Sequence, residues 1–254
     1  MRLPRRLQHG ESAELVEHLG ELRGRLVISL LALAAAFAVT YTFHHQLLNW
    51  LNVPLGHRRP ITLDVSEAFL TSFKVSAYAA FALALPVILW QLWAFLAPAL
   101  SPQIRRSLSG FVAFATALFV LGIGFAYRVV LPPAIHFLTN YDAHQFRIQV
   151  RASSYYSFVL LVLLAVGIVF ELPIFILALV RLTVLSSRTL RKKRRLGYVI
   201  VAALAVALPG VDPVTTTMEM VPMLLLFEST IWLAVLFERR WQPTPQTGPL
   251  QSAQ

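Results

Sequence analysis

The 254-residue chain contains no cysteine, which excludes disulfides, thiolate zinc sites and dithiol redox chemistry. Charge is also scarce. Asp, Glu, Lys and Arg make up 13% of the residues against a hydrophobic fraction of 57%, a ratio that no ordinary soluble surface accommodates. Acidic groups are the rarest, 12 against 22 Lys and Arg, leaving a formal charge of +10. Such a balance suits nucleic acid when it forms a stripe with interleaved aromatics on a soluble fold. Here the arginines flank apolar runs instead, so no nucleic-acid partner is expected. The seven histidines do not fall into ligand spacing, and no metal or cofactor is expected. There is no His-Glu-x-x-His, no Gly-x-Ser-x-Gly and no aspartate pair within an apolar run, so an intramembrane enzyme is not expected either.

What the chain does have is long apolar runs. About 20 such residues span a bilayer, and six candidates are present: Leu26–Phe43, Val75–Ala97, Leu108–Tyr127, Ser153–Val180, Leu196–Leu208 and Val214–Phe237. The gaps are too short for a soluble domain. The expected fold is therefore all-α, a polytopic membrane protein of six transmembrane helices. Its parts would be a cytoplasmic amphipathic segment over residues 1–25, a membrane domain over 26–240 and a disordered tail over 241–254. The basic stretch before the first run resembles a signal peptide, with Ala32-Leu33-Ala34 as a cleavage mimic. The run is too long for that, and retention as the first span is expected.

With the N-terminus inside, only Arg58, Arg59, Lys74, Arg128, Arg147 and Arg151 of the 22 Lys and Arg fall outside. The positive-inside rule then puts both termini in the cytoplasm. The gap Arg181–Arg195 anchors this orientation most strongly.

Leu196–Leu208 rises only about 20 Å against roughly 30 Å of hydrocarbon, and Pro209-Gly210-Val211-Asp212-Pro213 closes it. The next run carries Thr215, Thr216, Thr217 and Glu219 near the same end. The fifth and sixth helices are thus expected to be short. Pro86, Pro173 and Pro222 occupy the second, fourth and sixth runs, while the ascending runs lack proline. Each removes a backbone hydrogen bond and bends its helix, which favours a concave, cup-like bundle; proline's general frequency in membrane helices is the simpler account.

Glu171 and Glu228 stand deep in the fourth and sixth runs. Intramembrane carboxylates are costly and usually face a cavity, a bundle interior or a partner. They could be bonded to Thr, Ser or Gln91 within the bundle, serve as proton or ion sites of a secondary transporter, or dock polar groups of partner helices. Pro173 adds to the last reading by freeing a carbonyl in the turn before Glu171. Glu219, nearer the outer end, is expected to be solvated. A transporter would show inverted repeats, and the halves of this chain share no such similarity.

Ser12 can cap a helix on which Glu14, Glu17 and Glu21 share one face and Leu15, Leu19, Leu22 and Leu26 another. This amphipathic helix is expected to run along the membrane into the first span. Its acidic stripe is either a solvated face neutralised by Arg23 and Arg25, or a receptor for a basic peptide, since carboxylates accept paired guanidinium bonds.

At these residues the chain resembles the TatC family, the multispanning receptor of the twin-arginine protein translocase. The likeness rests on His18-Leu19-Gly20-Glu21-Leu22-Arg23-Gly24-Arg25-Leu26, on Ser66-Glu67-Ala68-Phe69 with Lys74, and on the stretch Pro86 to Leu100. It continues through Phe170-Glu171-Leu172-Pro173, Leu190-Arg191-Lys192-Lys193-Arg194-Arg195, Asp212 and Val221-Pro222-Met223, covering about Glu14 to Phe237. The resemblance implies a non-enzymatic protein of a bacterial inner membrane that binds paired-arginine signal peptides of folded substrates. It also implies single-span partners, TatA and often TatB, in an oligomeric complex, and a proton-motive force as the drive. Carried over, Glu21 is the leading signal contact, flanked by Arg23, Phe95, Arg105 and Arg106. Glu171 becomes a bilayer-facing group toward partner helices, and Asp212 matches at the outer tip. Many members carry a second glutamate where this chain has Ile104; Gln103, Glu14 or Glu17 are the candidates to replace it. Thr216 stands where some members have glutamine.

Overall fold

The computed structural model describes residues 9–96, 108–146, 148–181, 185–208 and 212–241. α1 spans His9–Thr42 and is followed by the short α2, His44–Asn52, and a 3-10 turn at Val53–Leu55. α3 runs over Glu67–Leu96. α4, Leu108–Phe125, passes through a π turn at Ala126–Val130 into α5, Leu131–Asn140. α6, Ala152–Val169, and α7, Leu172–Arg181, are halves of one passage. A short α8, Ser187–Lys192, leads into α9, Arg194–Ala207, and α10, Pro213–Trp241. Among the described residues there is no β-strand, only an isolated bridge between Ile61 and Arg151.

Five stretches are long and apolar enough to cross a bilayer: Gly20–Thr42, Glu67–Phe95, Ser109–Asn140, Ala152–Arg181 and Pro213–Leu236. α9 has 14 residues, about 21 Å of rise, as short as expected of the fifth run. The sixth run departs from expectation, for α10 has 29 residues. Asp212 caps it, and Pro213 sits in its first turn, where a missing N–H costs little. α1 also departs: it continues without a break from His9 into the first span, with no turn that would lay its start along the surface.

The prolines act unequally. Pro86 and Pro222 lie within uninterrupted helices. Pro173 separates α6 from α7: it has no N–H for the Val169 carbonyl, and Glu171 N–H bonds to Ile168 O at 3.0 Å instead. The third passage also carries proline, contrary to the rule read from the runs, because it extends past Tyr127 to Asn140 through Pro132 and Pro133. Its π turn accommodates them, with Leu131 N–H bonded five residues back to Ala126 O.

Small residues bring the helices together, as is usual where lipid supplies no hydrophobic drive. Ala36 of α1 packs on Ala80 and Ala84 of α3, and Thr40 Oγ1 donates to Ser76 O at 2.8 Å. Gly122 of α4 meets Gly167 of α6 so closely that a Cβ on Gly122 would lie 3.0 Å from the Gly167 Cα and 2.8 Å from the Phe170 ring. The bundle has two ends. One carries Glu21, with Gln91 of α3 beside it, and the other carries Arg58, joined to the end of α5.

Candidate functional site

At the Glu21 end, Arg25 stands one turn after Glu21 on α1. It donates to Glu21 Oε1 through Nε at 3.0 Å and Nη2 at 2.5 Å, and through Nη1 to Gln91 Oε1 at 3.3 Å. The Glu21 side chain is 37% exposed and that of Arg25 23%. The carboxylate is therefore held at the mouth of the α1–α3 contact rather than sealed inside it. Half-exposed ion pairs of this kind contribute about 0–1 kcal/mol, so the pair is exchangeable. Arg23 is exposed, and Phe95 is half-buried in the last turn of α3. Glu14 and Glu17 lie on α1 where side chains are not described; Gln103, Ile104, Arg105 and Arg106 lie outside the described residues. The structure thus joins Glu21 to Gln91, which sequence reading placed among the buried polar groups. Arg25 is the missed link, and its i,i+4 spacing from Glu21 was the available signal.

The other carboxylates separate into distinct situations. Glu171, at the α6–α7 break, is 3% exposed with no hydrogen-bond partner for either oxygen among the described residues. It does not face the bilayer, contrary to expectation, because the break turns it into the bundle. Glu219 is 1% exposed and equally unpartnered, so the solvated carboxylate expected there is overturned. With Asp212 at 5% and Thr215 at 0% it forms a buried polar stripe on the first turns of α10; the spacing i, i+3, i+7 was legible in the sequence. Glu228 accepts the Tyr198 hydroxyl and lies 3.6 Å from Arg194 Nη2. It therefore sits level with the first turn of α9 and has a counter-charge, which the Arg194 guanidinium supplies from 5.9 Å above the Trp232 ring. Thr216 Oγ1 donates to Asp212 O at 3.0 Å, and Asp212 Oδ2 accepts Thr215 Oγ1 at 2.6 Å.

At the Arg58 end, Glu67 is a fastening that sequence reading matched only as part of a motif. It is 4% exposed and accepts Leu63 N–H at 2.8 Å, Ser153 N–H at 2.9 Å and Arg151 Nε at 3.1 Å. It thereby joins the loop before α3 to the start of α6. Three tyrosines finish α2: Tyr127 and Tyr155 donate to the carbonyls of Trp50 and Leu51 at 2.8 and 2.7 Å, and Tyr156 to Asn52 Oδ1 at 2.9 Å. Tyr155 thereby satisfies a carbonyl that the helix end leaves open, Trp50 O already accepting Val53 N–H.

These features define an all-helical, multi-pass membrane protein with carboxylates buried among its helices and one half-open carboxylate at a helix-pair mouth. Residues 17–222 match the TatC family profile, described as Sec-independent protein translocase protein (TatC). The chain belongs to the TatC family. It is 34% identical over 250 residues to the Sec-independent protein translocase protein TatC of Deinococcus radiodurans, covering 93% of each chain. With the TatC of Escherichia coli K12 it shares 35% over 236 residues, 90% of this chain and 89% of that one. A crystal structure of the twin arginine translocase receptor TatC in DDM superposes with a TM-score of 0.77 at 32% identity, covering 85% of this chain and 99% of that chain.

Proposed function

We propose that this chain is the receptor and core subunit of a twin-arginine translocase, binding paired-arginine signal peptides at Glu21 and helping folded proteins cross the membrane. The observation that carries this reading is the Glu21–Arg25–Gln91 cluster. A carboxylate one-third exposed, already holding a guanidinium through two N–H groups, has the chemistry an incoming signal arginine requires. Binding then proceeds by exchange. The signal guanidinium takes Glu21, and Arg25 keeps its bond to Gln91 on α3 rather than being left bare. Arg23, and Phe95 on the last turn of α3, flank the peptide; Gln103, Arg105 and Arg106, which follow α3 along the chain, are assigned to the same recognition role. The chain acts here by binding and not by catalysis.

In this reading the bundle is a concave cup of six passes, with α9 as the short fifth and both termini in the cytoplasm of a bacterial inner membrane. Single-span TatA and TatB subunits dock on it, with the half-buried Gln91 and Thr216 as the polar side chains nearest their helices. The division into a cytoplasmic leader, a membrane domain and a tail over 241–254 goes with it.

The test is crosslinking of the membrane-inserted chain to a peptide carrying paired arginines. Glu21→Ala should abolish the crosslink while insertion persists. A peptide with paired lysines should lose most of its capture by the unaltered chain, because lysine keeps the charge without the planar fork. Equal capture of both peptides, or full capture by Glu21→Ala, moves recognition elsewhere.

A further inference from the structure

A polar cavity of about 770 Å³ opens at the Arg58 end, and nothing in the receptor reading uses it. His57, Arg58 and Arg59 line it together with Asn52 and Thr71, and no carboxylate does. The acidic group of the same turn of α3, Glu67, is withdrawn to Arg151 and two backbone N–H groups, so the lining keeps its positive balance. Arg58 is held in the wall by bonds to Thr139 O at 3.1 Å and Asn140 Oδ1 at 3.5 Å. Asn52 commits its Oδ1 to Tyr156, which leaves its amide N–H groups as donors. Thr71 is 6% exposed and stands in the lining.

The same helix faces continue into an apolar cavity of about 160 Å³. On α3 the polar cavity is lined by Ala68, Thr71 and Ser72, and the apolar one by Val75, Ala79 and Ala82. That is one stripe at helical spacing, with the apolar part beginning one turn deeper, about 5 Å. α6 repeats the pattern, with Ala152 and Tyr156 at the polar cavity and Leu160, Leu163 and Leu164 at the apolar one. The spans of α3 and α6 begin at Glu67 and Ala152, which places the polar cavity at the boundary between water and hydrocarbon. An anion that is polar at this boundary and apolar immediately below it is a phospholipid.

We propose that the two cavities hold one anionic phospholipid, its phosphate among Arg58, Arg59, Asn52 and Thr71 and the upper part of one acyl chain in the apolar cavity. Basic pockets between membrane helices are suited to such headgroups. In the orientation proposed above the lipid belongs to the outer leaflet, and the site is separate from the Glu21 cluster. A lipid wedged between α2, α3 and α6 sets how tightly the loop 53–66 closes on the bundle.

Native mass spectrometry of the full chain in detergent, offered equal phosphatidylglycerol and phosphatidylcholine, reads this out. Phosphatidylglycerol should be retained at one per chain with about tenfold preference. Arg58→Gln with Arg59→Gln should reduce it to the phosphatidylcholine level, and Thr71→Val should weaken it without disturbing the loop contacts of Arg58. Ala79→Phe, which fills the apolar cavity, should also release the lipid. Inorganic phosphate in large excess should leave it bound. Equal retention of the two lipids, or unchanged retention in both the double variant and Thr71→Val, overturns the proposal. Displacement by inorganic phosphate assigns the cavity to a soluble anion and overturns the proposal as well.

Discussion

Two carboxylates of similar setting in the sequence end with opposite chemistry. Glu228 has a hydroxyl and a guanidinium beside it, and Glu171 has neither. Removing one partner of a buried pair is costly, whereas replacing an unpartnered polar group by an apolar one of similar size can stabilise. Glu171→Leu should therefore leave the thermal unfolding midpoint of the isolated chain unchanged or raised. A lowered midpoint would show that the bundle depends on the carboxyl group. Glu171 was found from its depth in an apolar run, which a single residue in a window reveals. Its orientation was not, because the break at Pro173 rotates the turn that carries it.

Helices here are held by how closely their backbones approach and by how their ends are finished. The Gly122–Gly167 contact leaves no room for a side chain, so Gly122→Val should cost about 1–3 kcal/mol of overpacking. A lowered midpoint in a detergent unfolding series checks this. Asp212 satisfies the first turn of α10 through Thr215 N–H at 2.8 Å. Asp212→Ala should cost about 1 kcal/mol or more, with faster hydrogen exchange confined to the first turns of α10; exchange spread evenly along the helix would deny it the capping role. The shortness of α9 was legible as a 13-residue apolar run closed by Pro209-Gly210. The full length of α10 was not, since Thr215 and Glu219 read as polar positions near water and turn out to be packed inside.

Across the whole molecule, the two ends are built differently. The Glu21 end presents a half-exposed, exchangeable pair among its described residues, while the Arg58 end is fastened by Glu67, three tyrosine hydroxyls and the Ile61 bridge, in which Ile61 N–H meets Val150 O and Ala152 N–H meets Ile61 O, both at 2.8 Å. Glu67→Ala would leave two backbone N–H groups and Arg151 without their acceptor. It should lower the unfolding midpoint and expose the loop 53–66 to proteolysis before the helices unfold. Cleavage no faster than in the unaltered chain would show that the tyrosines and the bridge suffice. Composition and run length sufficed for the membrane class and the approximate passages, and the resemblance of short motifs such as His18 to Leu26 sufficed for the family, because each depends on residues adjacent along the chain or repeating at the helical period. Which carboxylates are paired, which are enclosed and where a cationic hollow opens depended on partners some 30 to 90 positions apart, such as Tyr198 with Glu228 or Glu67 with Ser153. Burial and pairing arise only when distant helices meet, and no local pattern encodes that meeting.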